Sequence, residues 1–144
     1  MEMEYRIRAF VPSDTESVVA LWEACGLVRP WNDPRRDIER KATVQSELFL
    51  VAEDADRRVV AAGMAGFDGH RGWVNYLAVL PELQGSGLGR TLMAEFEQRL
   101  AAMGCPKVNL QVRAGNERVI GFYESLGYSP DQTVSLGKRL IPDA

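Results

Sequence analysis

Histidine is nearly missing from this chain: His70 is the only one among 144 residues, and one imidazole cannot supply the multi-histidine sites of catalytic zinc. Cysteine is scarce too. Cys25 and Cys105 lie far apart without metal-like spacing, so they read as reduced, mostly buried thiols of a cytoplasmic protein, and no metal is expected. No apolar run approaches the roughly 20 residues that span a bilayer. The opening "MEMEYRIRAF" carries acids and no apolar h-region, so neither a membrane nor a secretory segment is expected. Repeats, linkers and low-complexity tracts are absent as well. Nor is there an excess of basic residues: 17 Lys and Arg stand against 20 Asp and Glu, a net charge of -3. General nucleic-acid binding wants a basic face and is disfavoured, whereas mild acidity favours a cationic amine by steering.

What is present suits one globular domain over residues 1–144, with 46% hydrophobic residues to build a core. "YRIRAFV" alternates and predicts a first strand. "PSDTESVVALWEAC" places Ser13 three residues before Glu16, a capping-box pattern, ahead of Val18, Leu21, Trp22 and Cys25 at helical spacing. A second helix is predicted at "NDPRRDIERK", with Asp33 as cap and Pro34 in its first turn. "ELFLVAED" and "RRVVAAGMAGFDG" read as an antiparallel hairpin around "DADR". "GWVNYLAVL" is apolar on both faces, Trp73, Asn75, Leu77 and Val79 on one, Val74, Tyr76 and Ala78 on the other, which predicts a central strand. A helix runs from Leu88 to Gly104, "KVNLQV" is a short strand, "NERVIGFYESLGY" a helix and "TVSLGKRLI" a last strand. The order implies an α/β (α+β) fold: a mixed, mostly antiparallel central sheet with helices on both faces.

The densest signal is "LPELQGSGLGRTLM", where Gly85, Gly87 and Gly89 separate a strand from a helix. Free N–H groups in a first helical turn, helped by the helix dipole, bind phosphate oxygens. Glycine lets an anion approach the backbone closely. Two owners of such a turn are disfavoured by spacing. A P-loop needs lysine where Arg90 stands, and a dinucleotide fingerprint needs G-x-G-x-x-G early in the chain, not G-x-G-x-G late in it.

The stretch resembles the acyl-CoA pyrophosphate loop of the GCN5-related N-acetyltransferase (GNAT) superfamily: glutamine or arginine, two residues, glycine, one residue, then glycine or alanine. Gln84, Gly87 and Gly89 fill those places. "NERVIGFYESLGY" is similar to the family's closing motif, with Asn116, Tyr123, Leu126, Gly127 and Tyr128 in register. "RPWNDP", "FDGHRG" and "SLGKRLI" resemble a small bacterial branch labelled YpeA. The resemblance implies the acyl-CoA N-acyltransferase fold and acetyl-CoA as cosubstrate. It implies that the amides of Gln84, Gly85, Ser86, Gly87, Leu88, Gly89 and Arg90 grip the pyrophosphate. Backbone groups at Leu77 and Val79 would pair with the pantetheine arm as with an added strand, which requires that strand to splay from "KVNLQV". An N–H near Ala78 or Val79 would polarise the thioester carbonyl.

Tyr123 is the expected general acid for the departing thiolate; read from the helix alone, it is equally a core aromatic beside Phe122 and Leu126. Asn116 caps its helix, contacts the pantetheine, or both. No carboxylate occupies the strand before the loop, where many family members carry a glutamate; Asn75 positions substrate or water but cannot be a base. Either water relays the proton to a more distant acid or the amine arrives neutral, which favours α-amines over lysine. The acceptor is expected near Arg29, Trp31, Asn32, His70 and Asn75, with Trp31 a docking surface or a core residue and His70 a contact or a solvated side chain. The expected function is acetyl transfer to a primary amine (a protein N-terminus, an amino acid or a small molecule) by direct attack in a ternary complex, in a monomer or homodimer. A catalytically silent acyl-CoA-binding module is the alternative.

Overall fold

Strands form where apolar residues alternate and helices where they recur every three to four positions, and the computed structural model, which describes residues 4–143, follows that rule closely. Strands β1 (Arg6–Ala9), β2 (Phe49–Glu53), β3 (Val59–Phe67), β4 (Gly72–Val79) and β5 (Val108–Leu110) lie side by side in chain order. The first four pair antiparallel and β5 joins β4 in parallel. Helices α1 (Thr15–Ala24) and α2 (Pro34–Lys41) cover one face, through Val18, Trp22 and Ile38 against Phe49, Val51 and Ala62. Helices α3 (Leu88–Ala102) and α4 (Glu117–Ser125) cover the other, where Leu92, Phe96 and Leu100 meet Leu50, Ala61 and Ala65. The parallel β5 needs the α3 crossover, since a tight turn cannot reverse the chain twice.

Phe96 is 0% exposed and packs closely on β3 because Gly63 leaves room there; a Cβ at Gly63 would sit 3.0 Å from the ring. Phe96→Ala should lower unfolding stability by about 3–5 kcal/mol in urea titration, while a loss under 1 kcal/mol would mean that the face repacks.

Three sequence expectations change. The last strand, "TVSLGKRLI", does not form: no main-chain pairing joins residues 133–141 to the sheet. Val134 and Leu136 stand 84% and 91% exposed, so the alternating side chains gain no face to bury. Side-chain bonds run instead from Lys107 to Asp131, just ahead of the segment, from Gln111 to Ser135 and from Arg139 to Asn32. The Ser13–Glu16 capping box is also absent. A 3-10 turn, Pro12–Asp14, leads into α1 instead. The Asp14 carboxylate, buried with two hydrogen bonds from Arg8, accepts the Val11 N–H, and Glu16 pairs with Arg35. A buried carboxylate must be paired, and that demand outweighs a cap worth about 1 kcal/mol. The α2 start is as expected, with Asp33 accepting from the Arg35 N–H.

The third change is in β4. Its side chains do not alternate strictly, because the strand bulges between Asn75 and Ala78. Met64 pairs with Asn75 and Ala62 with Ala78, so Tyr76 and Leu77 together face the single residue Gly63. The extra residue puts Val74 on the α3 face with Leu77 and Val79, rather than with Tyr76 and Ala78 on the α1 face.

Candidate active site

A three-residue β5 cannot accompany an eight-residue β4 along its length. The two pair only at Gly72 with Val108, Trp73 with Asn109 and Val74 with Leu110. From Asn75 to Val79 the β5-side edge of β4 has no strand partner, so the splay expected from the sequence is present. The split opens into a cavity of about 1780 Å³, whose walls include Asn75 to Val79 of β4, Asn109 to Arg113, and Asn116, Ile120 and Tyr123 of the α4 segment. Tyr76 sits at the bend with φ of 58°, a conformation that costs a bulky residue about 1–2 kcal/mol. Such strain survives only where surrounding contacts impose it, commonly at functional sites.

At the head of the split, a short 3-10 turn at Pro81–Leu83 delivers the chain to the glycines. Gly85 and Gly87 have φ of 85° and 91°, which suit glycine and strain other residues. Gly87 precedes the first turn of α3, and the Thr91 N–H to Gly87 O bond, 3.0 Å, begins the helical ladder. The N–H groups of Leu88, Gly89 and Arg90 are therefore without intrahelical acceptors, at the positive end of a 15-residue helix. Gly89 serves packing instead: a Cβ there would lie 3.1 Å from the Phe122 ring. Gln84 Nε2 donates to Val79 O (3.2 Å) and Gln84 Oε1 accepts from Arg118 (3.3 Å), tying loop, β4 and α4 together.

Tyr123 faces the cavity from α4, edge-on to Phe122 and Tyr128 at 5.0 and 5.8 Å. Burial pushes its phenol up to about 12, so the group is a proton donor at neutral pH. Tyr128 is fixed in turn by donating to Glu97 Oε2 at 2.5 Å. Asn116 starts α4 without a side-chain cap bond and lines the cavity. Cys25 lines it also, donating its thiol to Val79 O at 3.2 Å. Burial raises that thiol, which holds it as S–H and disfavours it as a nucleophile.

The acceptor-side residues divide. Asn75, Arg29 and Asn32 line the cavity. Trp31 is 53% exposed, with the Arg113 guanidinium 5.5 Å over its ring, so it is not a core residue. Asn32 accepts from Arg139 of the C-terminal segment. His70 is not among the cavity residues: it lies in the β3–β4 turn, where Asp68 Oδ1 accepts the N–H groups of His70 and Arg71. Two side chains that sequence reasoning passed over do face the cavity. Tyr76 donates to Asp37 Oδ2 at 2.6 Å. Asp37 sits in a highly charged helix and was not singled out; its one signal was its place one turn after the apolar Pro34, which the fold buries. Asn109 of β5 was passed over too, and its buried Oδ1 has no partner. Among the described residues no group of three or more His, Cys, Asp or Glu side chains could hold a metal ion.

A mixed sheet split between two parallel strands, with a glycine-led helix start at the head of the split, defines the acyl-CoA N-acyltransferase class. The chain belongs to the acetyltransferase (GNAT) family, whose pattern it matches over residues 6–128, and is an N-acetyltransferase. It is 52% identical to an acetyltransferase of Yersinia enterocolitica over 137 residues, covering 95% of this chain and 96% of that one. An acetyltransferase of Pectobacterium atrosepticum is 50% identical over the same shares. Among solved structures, Ard1 from Thermoplasma volcanium superimposes with a TM-score of 0.75 at 25% identity, covering 87% of this chain and 82% of the other.

Proposed function

We propose that the protein transfers acetyl from acetyl-CoA to a primary amine (a protein N-terminus, an amino acid or a small-molecule amine) by direct attack within a ternary complex. The observation that carries the reading is the unpaired β4 edge, Asn75 to Val79, which lines one cavity together with Tyr123 and with Gln84, the residue that opens the glycine turn. Amides from Gln84 to Arg90 would hold the pyrophosphate, and Leu77 and Val79 would hold the pantetheine through backbone bonds, as an added strand does. An N–H of Ala78 or Val79 would meet the developing oxyanion. Asn116 and the orphan Oδ1 of Asn109 are further contacts for the donor or acceptor. Tyr123 would protonate the leaving thiolate; the burial that raises the phenol also raises the proton affinity of a thiolate formed beside it. The acceptor enters past Asn75, Arg29 and Asn32, with Trp31 at the rim. His70 is left with the β3–β4 turn. The whole of residues 1–144 acts as one domain in this reading, without metal, nucleic acid or membrane.

A second reading, an acyl-CoA-binding module without turnover, is favoured by one observation: β4 carries no carboxylate. Incubation with acetyl-CoA and separate pools of peptides, amino acids and polyamines, followed by free-thiol release, separates the two. Thiol release that depends on the amine is expected. Tight CoA binding with no release above background in every pool would establish the silent module. Thermal stabilisation by ATP or NAD equal to that by CoA would undo the reading of the glycine turn.

A further inference from the structure

Tyr76 and Asp37 form a connected pair at the cavity wall that the donor site does not use. The bulge forces Tyr76 into positive φ and turns it toward the α1–α2 face. There its ring stacks on Trp22 with centroids 4.1 Å apart, and Trp22 is fully buried. Its hydroxyl donates to Asp37 Oδ2 at 2.6 Å. The other oxygen of Asp37 accepts from Arg40 at 2.9 Å, and Arg40 is held from behind by Asp143 at 2.6 Å. A β4 residue, an α2 carboxylate and a buried tryptophan of α1 thus fix one phenolic oxygen. Because its proton is committed to Asp37, that oxygen presents lone pairs to whatever enters the cavity. Tyr123 reaches the same cavity from the α3–α4 face. The two phenols approach the split from opposite sides of the sheet.

We propose that Tyr76 and Asp37 are the proton-accepting relay for the acceptor amine, with the Tyr76 oxygen in contact with the reacting nitrogen and Asp37 the terminal acceptor. This rests on the acetyl-transfer reading above and supplies the base that β4 lacks. The amine arrives neutral, and its nitrogen attacks the thioester carbon. As the C–N bond forms, the nitrogen loses its hold on a proton. That proton passes to Tyr76 Oη while the phenol's own proton moves to Asp37 Oδ2. The C–S bond breaks, and the thiolate takes the proton of Tyr123. Solvent then carries the proton from Asp37 to the Tyr123 phenolate, which restores every group. A carboxylate is too weak a base to strip a lysine-type ammonium with pKa near 10.4, so the relay serves amines already neutral near pH 8, such as α-amines.

The test compares wild type, Asp37→Asn, Tyr76→Phe and the double variant, each checked by thermal melting and CoA binding, with an amine that the wild type acetylates. The amide introduced by Asp37→Asn keeps an oxygen to accept from Tyr76 but cannot take a proton, so a merely structural role predicts wild-type turnover. The relay predicts that Asp37→Asn and Tyr76→Phe each lose roughly 10²-fold in kcat with CoA affinity unchanged. The double variant should be no slower than the slower single, since both break one pathway. Folded Asp37→Asn within threefold of wild type, or a double variant whose losses multiply, would overturn the relay while leaving acetyl transfer intact. Should Asp37→Asn melt below the assay temperature, Tyr76→Phe decides: an unchanged kcat overturns the relay, a loss confined to kcat supports it. A wild type that binds CoA yet acetylates no amine overturns the acetyl-transfer reading itself, and the relay with it.

Discussion

Gly87→Glu should leave a folded protein that no longer retains CoA at concentrations saturating the wild type. The residue has φ of 91°, so any side chain there costs about 1–2 kcal/mol before it meets a ligand. No atom lies within 4 Å of a Cβ built at Gly87, so the fold has room for the change. The damage falls on the anion site. A carboxylate placed ahead of Leu88, Gly89 and Arg90 competes for their free N–H groups and repels a pyrophosphate. Gly87→Ala, with the strain but without the charge, should weaken binding far less. Titration of CoA by calorimetry reads both. Equal affinity in Gly87→Glu and wild type would place the pyrophosphate elsewhere.

Tyr123→Phe is the second large effect, and it should appear in turnover alone, a loss on the order of 10²-fold if the phenol is the general acid. The hydroxyl makes no hydrogen bond to another described residue, so its removal orphans no partner and melting should barely change. CoA affinity should stay close to wild type, because the ring still fills its place against Phe122 and Tyr128. The pH profile carries a further sign. With the phenol pushed up to about 12, the acid stays protonated throughout the assay range. A rate that rises between pH 7 and 8 then reports the acceptor amine losing its proton. An unchanged rate in Tyr123→Phe would reduce the residue to packing.

Local signals of high contrast were legible in the sequence. Glycines at 85, 87 and 89 ahead of an amphipathic helix marked the anion turn, whereas the split beside "KVNLQV" was implied only by the family resemblance. The bulge in β4 left no such trace: "WVNYLAV" alternates without a glycine or proline at the break, and only the pairing with Gly63 reveals the added residue. Asp37 was hidden for another reason. Its partner Tyr76 lies on β4, far along the chain, and a helix rich in Arg, Asp and Glu reads as solvated until the fold turns one side of it inward. Ser13 and "TVSLGKRLI" show the opposite error. Both patterns suit an element, yet Arg8 claims the adjacent Asp14, and nothing waits to cover Val134 and Leu136. Local preference yields where tertiary partners are stronger or missing.

One added residue in β4 gives the strand two phases, so that Leu77 and Val79 share a face with Val74 while Tyr76 and Ala78 look the other way. The strand thereby shows two separate sets of side chains to one cavity. In the acetyl-transfer reading proposed above, the α3–α4 set would face a donor of fixed shape and the α1–α2 set an acceptor that can differ. A scaffold built this way would keep one cosubstrate while its recipient changed.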